Sequence, residues 1–251
     1  MGRLTTHVLD TANGKPGVGI ADTVHRLDGE RREITRTVTN HDGRCDKPLL
    51  EGAALEAGMA AGAATDLLEW AWWAPTIAVV GEDKPRGVFA ERAFPGAIVV
   101  NSLGKRFCNE AQGYLEFGDA MYKDRDATGG KNVPAWCIFD AHFRFNYAMG
   151  PLMPAQIMPD SRLRKEWLGS VYWKADTLDE LARQIGVDPA GLNDTVAKMN
   201  AYASSGKDAD FGRGDSVFDR YYGDVNVKPN PCLAPVQKGP FYAMRMDAGD
   251  I

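Results

Sequence analysis

Six side chains in this sequence are of the types that proton transfer and charge stabilisation require. His7, in LTTHVLDTANGKP (residues 4–16), can give or take a proton near neutral pH. Arg44, after the Asp42-Gly43 turn, can hold a developing negative charge. Taken alone, a histidine on a strand is structural, and an arginine after such a turn is a solvated surface residue. Arg106, Asn109 and Glu110 stand together in VNSLGKRFCNE (100–110), which reads as a strand, a glycine turn at Gly104 and a second strand. On that reading they form a surface hairpin with a solvated charge pair. Tyr147 closes FDAHFRFNY (139–147). Its phenol can take a proton only if neighbours bring its pKa well below about 10; otherwise it is a core tyrosine with a satisfied hydroxyl.

Other chemistries are disfavoured. The four cysteines, Cys45, Cys108, Cys137 and Cys232, follow no C-x-x-C spacing, and the four histidines, His7, His25, His41 and His142, lack H-x-x-x-H spacing. Neither a metal site nor a disulfide framework is expected, and the thiols read as reduced. With 29 Lys+Arg against 34 Asp+Glu the net charge is -5, without the basic face that nucleic acid demands. The N-terminus has no apolar leader, and the alanine-rich stretch carries Glu56, Asp66 and Glu69, so neither export nor a membrane span is expected. The expected location is the cytoplasm. GKPGVG (14–19) has glycines but not the third glycine of the G-x-G-x-x-G dinucleotide fingerprint.

The elements that must position these residues fall into two styles. Residues 3 to 50 are rich in Thr and Val and are punctuated by Asn13-Gly14-Lys15-Pro16, Asp28-Gly29 and Asn40-His41-Asp42-Gly43, which predicts short antiparallel strands. From Leu55 the pattern turns helical through Met59, Ala63, Leu67 and Trp70, and Pro75 stops it. TIAVVG (76–81) and AIVVN (97–101) read as buried strands. Thr177 and Glu180 form a capping box before a helix that stops at Gly186, and Asp188 with Pro189 starts another that stops at Gly206. The two should make a helical hairpin. The stretch from Asp210 to Pro240 is too rich in Gly, Asp and Pro for a long element.

Two family resemblances follow from these segments. LTTHVLDTANGKP and RTVTNHDGRCDKPLLEG (36–52) resemble the 5-hydroxyisourate hydrolases, transthyretin-like enzymes of purine breakdown. That resemblance implies His7 as a base or water-orienting group and Arg44 as an anchor for the anionic ring, in a cleft between subunits. The family's second active-site histidine and its Tyr-Arg-Gly-Ser stretch have no counterpart here. IVVNSLGKRFCNEAQGYLEF (98–117), PAWCIFDAHFRFNY (134–147), DTLDELARQIGVDPAGLNDTVAKMNAY (176–202), DADFGRG (208–214) and NPCLAPVQKGPFYAMRMDAGDI (230–251) resemble the FAD-dependent dehydrogenases, which include 3-ketosteroid Δ1-dehydrogenases and fumarate-reductase-type flavoproteins.

The second resemblance implies Tyr147 as a catalytic tyrosine near a steroid ring, taking a proton as hydride leaves for FAD. It implies Arg106, Asn109 and Glu110 as bounds of the flavin-side cleft, and Tyr242 as a weaker candidate. Trp70, Trp72 and Trp73 read as core or interface filling. The fold class is α+β: a partial transthyretin-like β segment over residues 1–57, joined to a fragment of a flavoprotein FAD-binding domain with its α+β cap domain, residues 58–251, the cap at about 118–230. The two patterns overlap at Glu56-Ala57-Gly58, as a join between two genes leaves them. The expected function is FAD-dependent oxidation of a CH–CH bond in a steroid or enoate, incomplete in this chain. The alternatives are 5-hydroxyisourate hydrolysis, also incomplete, and an inactive chimeric or truncated protein. A homo-oligomer is compatible with either enzyme.

Overall fold

The computed structural model describes residues 2–4, 8–10, 15–26, 32–47, 50–52, 60, 72–128 and 131–250. It divides into two compact units, Met1–Trp70 and Ala71–Ile251. In the first unit the expected antiparallel strands form. β1 (Gly2–Leu4) pairs with β6 (Leu50–Gly52), β2 (Leu9–Asp10) with β3 (Lys15–Pro16), and β4 (Ala21–Arg26) with β5 (Arg32–Val38). Thr39 is buried; its hydroxyl donates to the Gly17 carbonyl (2.5 Å) and accepts from the Ile20 N–H (2.9 Å), which pins two loops. His7, the Asp28-Gly29 turn and the positions Leu55, Met59, Ala63, Leu67 and Trp70 of the expected helix lie outside the described residues.

The second unit is built on an antiparallel sheet in the order β8 (Arg86–Gly87), β7 (Trp73–Ile77), β12 (Phe241–Asp250), β10 (Ala135–Phe139), β9 (Ala97–Val100), with β11 (Trp173–Ala175) also paired to β12. Strands β9 and β10 are apolar on both faces because the sheet is covered on both. Ala97, Val99, Cys137 and Phe139 enter one core, whereas Ile98, Val100, Trp136 and Ile138 enter the other. The first core receives Phe117 and Met121 of α1 (Tyr114–Thr128) and Phe143 of α2 (Ala141–Asn146). The second receives α3 (Leu178–Ile185) and α4 (Pro189–Ser205).

The local signals of this helix pair are realised. Thr177 accepts from the Glu180 N–H (3.2 Å) while Glu180 accepts from the Thr177 N–H (3.3 Å), and Gly186 is left-handed. Asp188 caps α4 through the Ala190 and Gly191 N–H groups, with Pro189 in the first turn. Two expectations need correction. β7 starts at Trp73 rather than Thr76 and ends at Ile77, because β12 pairs with it from Trp73 to Thr76. Pro75 therefore sits inside a strand, its carbonyl accepting from the Val88 N–H (2.8 Å). Residues after the Gly104 turn form no second strand: Asn101 ties the turn by accepting from the N–H groups of Leu103 and Lys105.

Candidate functional site

The expected solvated pair of Arg106 and Glu110 is instead buried. Arg106 grips both oxygens of Glu110 (2.8 and 2.7 Å) and both oxygens of Asp208 (3.1 and 2.8 Å). Arg213 adds a contact to Glu110 (3.3 Å) and donates to the carbonyls of Arg92, Ala93, Phe94 and Ala97. The Val99 N–H completes the Glu110 shell (3.1 Å). Burial pushes the Glu110 carboxyl up, but Arg106 and Arg213 beside it hold it below the ordinary carboxylate range. Asp208 is lowered likewise, with Arg106 overcoming burial. Asn109 donates to Asp219 (2.9 Å), which also accepts from the Gly214 N–H (2.8 Å). Apart from the Arg213 Nε, which has no partner among the described residues, these side chains are taken up by protein groups. They fix the Arg92–Phe94 segment and the loop after α4 around β9.

Tyr147 follows α2, whose N-terminus is set by Asp140: one carboxylate oxygen accepts from the His142 and Phe143 N–H groups, the other from those of Gln237 and Lys238. The half-buried phenol stacks on Phe94 (5.2 Å between centroids), lies against Phe143 and donates to Asp224 (2.7 Å). Burial first, then the Asp224 carboxylate, pushes its pKa up. The condition that neighbours lower it is not met: burial and the nearest charge, an anion, both favour the protonated phenol. Tyr242 is buried and donates to Asp160 (2.7 Å), which also receives Lys174 (2.7 Å) and Arg144 (3.1 Å). That arrangement is a packed core node.

A cavity of about 630 Å³ opens beside this network, lined by Trp72, Phe89, Arg92, Tyr114, Phe218 and Tyr222 among others. Trp72, expected as filling, is 59% exposed and donates its indole N–H to the Tyr114 hydroxyl (3.0 Å). Trp73 packs on Tyr122. Arg92 is 2% exposed, and among the described residues its Nε has no hydrogen-bond partner. Burial pushes its guanidinium down to about 10, so it stays cationic at neutral pH. Tyr147 does not line the cavity. It is joined to it along the chain through Arg92 to Phe94 and through Tyr222 to Asp224. Spacing did not single out Tyr114 or Phe218; their proximity brings together the start of α1 and a short helix, Val217–Tyr221, about a hundred residues further on.

In the first unit Arg44 is exposed, and Asn40 shapes its turn by accepting from the Asp42 and Arg44 N–H groups (2.9 and 3.1 Å). The pyrophosphate of a dinucleotide needs a strand, a short glycine-rich turn and a helix N-terminus. Among the described residues no such turn links a strand to a helix, and the 251 residues lack the fingerprint, so this donor set does not fit a pyrophosphate. The aromatic cavity is of the size of a small-molecule site, which spans about 300–1,000 Å³.

Residues 17–251 match the family model described as FAD binding domain. The chain is 44% identical over 204 residues to a 3-oxosteroid 1-dehydrogenase of Mycolicibacterium smegmatis, covering 80% of this chain and 35% of that protein. It thus spans about a third of the length of the curated dehydrogenases it matches. A 60-residue stretch, 24% of the chain, is 60% identical to half (51%) of a 5-hydroxyisourate hydrolase of Ralstonia nicotianae. Among solved structures, the 3-ketosteroid delta1-dehydrogenase of Sterolibacterium denitrificans in complex with 1,4-androstadiene-3,17-dione matches with a TM-score of 0.78 and 47% identity, over 91% of this chain and 47% of the other. A flavocytochrome c3 fumarate reductase matches at 26% identity with a TM-score of 0.50, over 77% of this chain and 28% of the other.

Proposed function

The chain belongs to the FAD binding domain family, and from that premise we propose that it is the substrate-side body of an FAD-dependent oxidoreductase of the 3-ketosteroid dehydrogenase type, acting on a CH–CH bond beside a carbonyl. The observation that carries this is the aromatic cavity; Tyr147 stacks on Phe94 and bonds Asp224 outside its lining. Phe89, Phe218, Trp72 and Tyr222 offer flat apolar faces to a rigid ring skeleton, and Tyr114 offers a hydroxyl at the helix start. Arg106 and Glu110 act as braces of the flavin side, and Asn109 as the tie to Asp219. Tyr147, stacked on Phe94 outside the cavity lining, is the phenol that exchanges a proton with the part of the substrate that extends beyond the cavity.

The test is equilibrium dialysis of the full chain against labelled 1,4-androstadiene-3,17-dione. The proposal expects saturable retention of one steroid per chain, weakened at least about tenfold by Phe218→Ala. Retention that rises linearly with steroid and ignores Phe218 would sink it.

A second reading applies to residues 1–57, favoured by the hydrolase match. His7 would act as base and Arg44 as anion anchor in hydrolysis of hydroxyisourate. Freshly generated hydroxyisourate should then decay faster with the wild-type chain than with His7→Ala, and equal rates would count against it. The boundary at residues 57/58, with a cap at about 118–230, is part of the same proposal. Genomic sequence across Glu56-Ala57-Gly58 tests whether two genes meet there.

A further inference from the structure

Asp224 has no task in the cores, yet its carboxylate is divided between two jobs. Oδ1 accepts from the Asn226 backbone N–H (2.9 Å) and side-chain amide (3.0 Å), closing a turn. Oδ2 accepts the Tyr147 hydroxyl at 2.7 Å. The turn is anchored by the Asp224 N–H on the Pro231 carbonyl (2.9 Å) and by the Val227 N–H on the Asp224 carbonyl (2.9 Å). The aromatic groups packed against Tyr147, Phe94 from another element and Phe143 from α2, are apolar, and the charged group acting on it is Asp224. A phenol locked as donor to a carboxylate cannot wait as a phenolate.

We propose that Asp224 is the positioning residue of Tyr147 and the final acceptor of the proton that Tyr147 carries. This rests on the reading of Tyr147 as the reacting phenol. The step balances as follows: a C–H bond beside the substrate carbonyl breaks, and its electron pair remains on carbon, delocalised onto the carbonyl oxygen. The Tyr147 oxygen binds that proton as its own proton moves to Asp224 Oδ2, leaving a neutral phenol and a neutral carboxylic acid. The negative charge passes from carboxylate to enolate. The Asp224 carboxylate is less buried than the Tyr147 phenol, so the proton leaves from that side. The depressed pKa of Asp224, set first by the Tyr147 hydrogen bond and then by Asn226, keeps it ionised and ready at neutral pH.

The experiment reads the phenol directly, without turnover. In the full chain labelled with ¹³C at tyrosine Cζ, the Tyr147 resonance is identified by its loss in Tyr147→Phe, and its phenolate fraction is followed to pH 10.5. Asp224→Asn keeps the shape and an acceptor for the Asn226 groups but removes the charge. Its Tyr147 phenolate fraction should rise about tenfold at fixed pH, the size of one pKa unit. Asn226→Ala loosens the turn and should leave that fraction near wild type. An unchanged Tyr147 in Asp224→Asn, or an equal rise in Asn226→Ala, would overturn the assignment to the carboxylate. Steroid binding is read separately, so loss of binding with the Tyr147 shift intact would fault the functional reading and not this coupling.

Discussion

Replacing Glu110 by Gln probes the centre of the second unit. The carboxylate is fully buried and takes four donors: the Val99 N–H and Arg106 Nε on one oxygen, Arg106 Nη2 and Arg213 Nη1 on the other. A glutamine keeps the first oxygen but turns an amide toward two guanidinium groups, so two donors face a third; Arg213 loses its carboxylate partner, and Arg106 keeps only Asp208. Removing one partner of a buried pair costs about 3–5 kcal/mol. At a urea slope of about 2 kcal/mol per molar, the unfolding midpoint should fall by about 1.5–2.5 M. The assay is urea unfolding followed by tryptophan fluorescence and circular dichroism, whose transitions must coincide for the comparison to hold. Glu82→Gln is the control. It breaks an i,i+4 pair with Arg86 on the surface, worth at most about 1 kcal/mol. A Glu110→Gln midpoint no lower than that of Glu82→Gln would refute the assignment of Glu110 as the keystone of this network.

Three further outcomes follow from the same geometry. Glu110 and Asp208 both have folded-state pKa values below their unfolded ones. Their contribution is therefore present above the ordinary carboxylate range of about 4 and is lost as pH falls through the folded values. The urea midpoint should be flat from pH 7 to 5 and drop below about 4, with a shallower acid slope in Glu110→Gln; an equal slope contradicts this. Burial pushes the Cys108, Cys137 and Cys232 thiols up, whereas Cys45 is partly exposed. A disulfide reagent at pH 8 should therefore label one thiol quickly in the native chain and four in denaturant, and a second fast thiol would contradict the burial. Gly104 has φ +69° and its missing Cβ would collide with the Gly191–Leu192 backbone, while Gly169, with φ +81°, has nothing near it. Gly104→Ala should lose clearly more stability than the roughly 1–2 kcal/mol of left-handed strain expected for Gly169→Ala, and equal losses would refute the close approach of that turn to α4.

Short-range chemistry was legible in the sequence. The capping box at Thr177 and Glu180, the Asp188-Pro189 start of α4 and the glycine stops at Gly186 and Gly206 are formed within a few residues, and they stand where the pattern put them. The apolar runs of β9 and β10 were legible for a similar reason, since a strand buried on both faces shows no polar alternation. What escaped was set by distance. Arg106 looked solvated because its second carboxylate, Asp208, and the competing cation Arg213 lie about a hundred residues further on. β12 was hidden for the same cause: Phe241–Asp250 becomes the middle of the sheet only by pairing with β7, β10 and β11. Tyr147 was singled out by its place in FDAHFRFNY, but the burial that raises its pKa and its partner Asp224, in a loop with no pattern of its own, were not visible there. The cavity draws one or two residues from each of several segments, so no window of sequence displays it.

The most direct test of the central claim is steroid-dependent tryptophan fluorescence of the full chain. Of its six tryptophans, Trp72 is the one that lines the cavity among the described residues. The account predicts a saturable change on adding 1,4-androstadiene-3,17-dione that disappears in Trp72→Phe while dialysis still shows the steroid bound. A saturable change that persists unaltered in Trp72→Phe would place the steroid elsewhere and contradict the account.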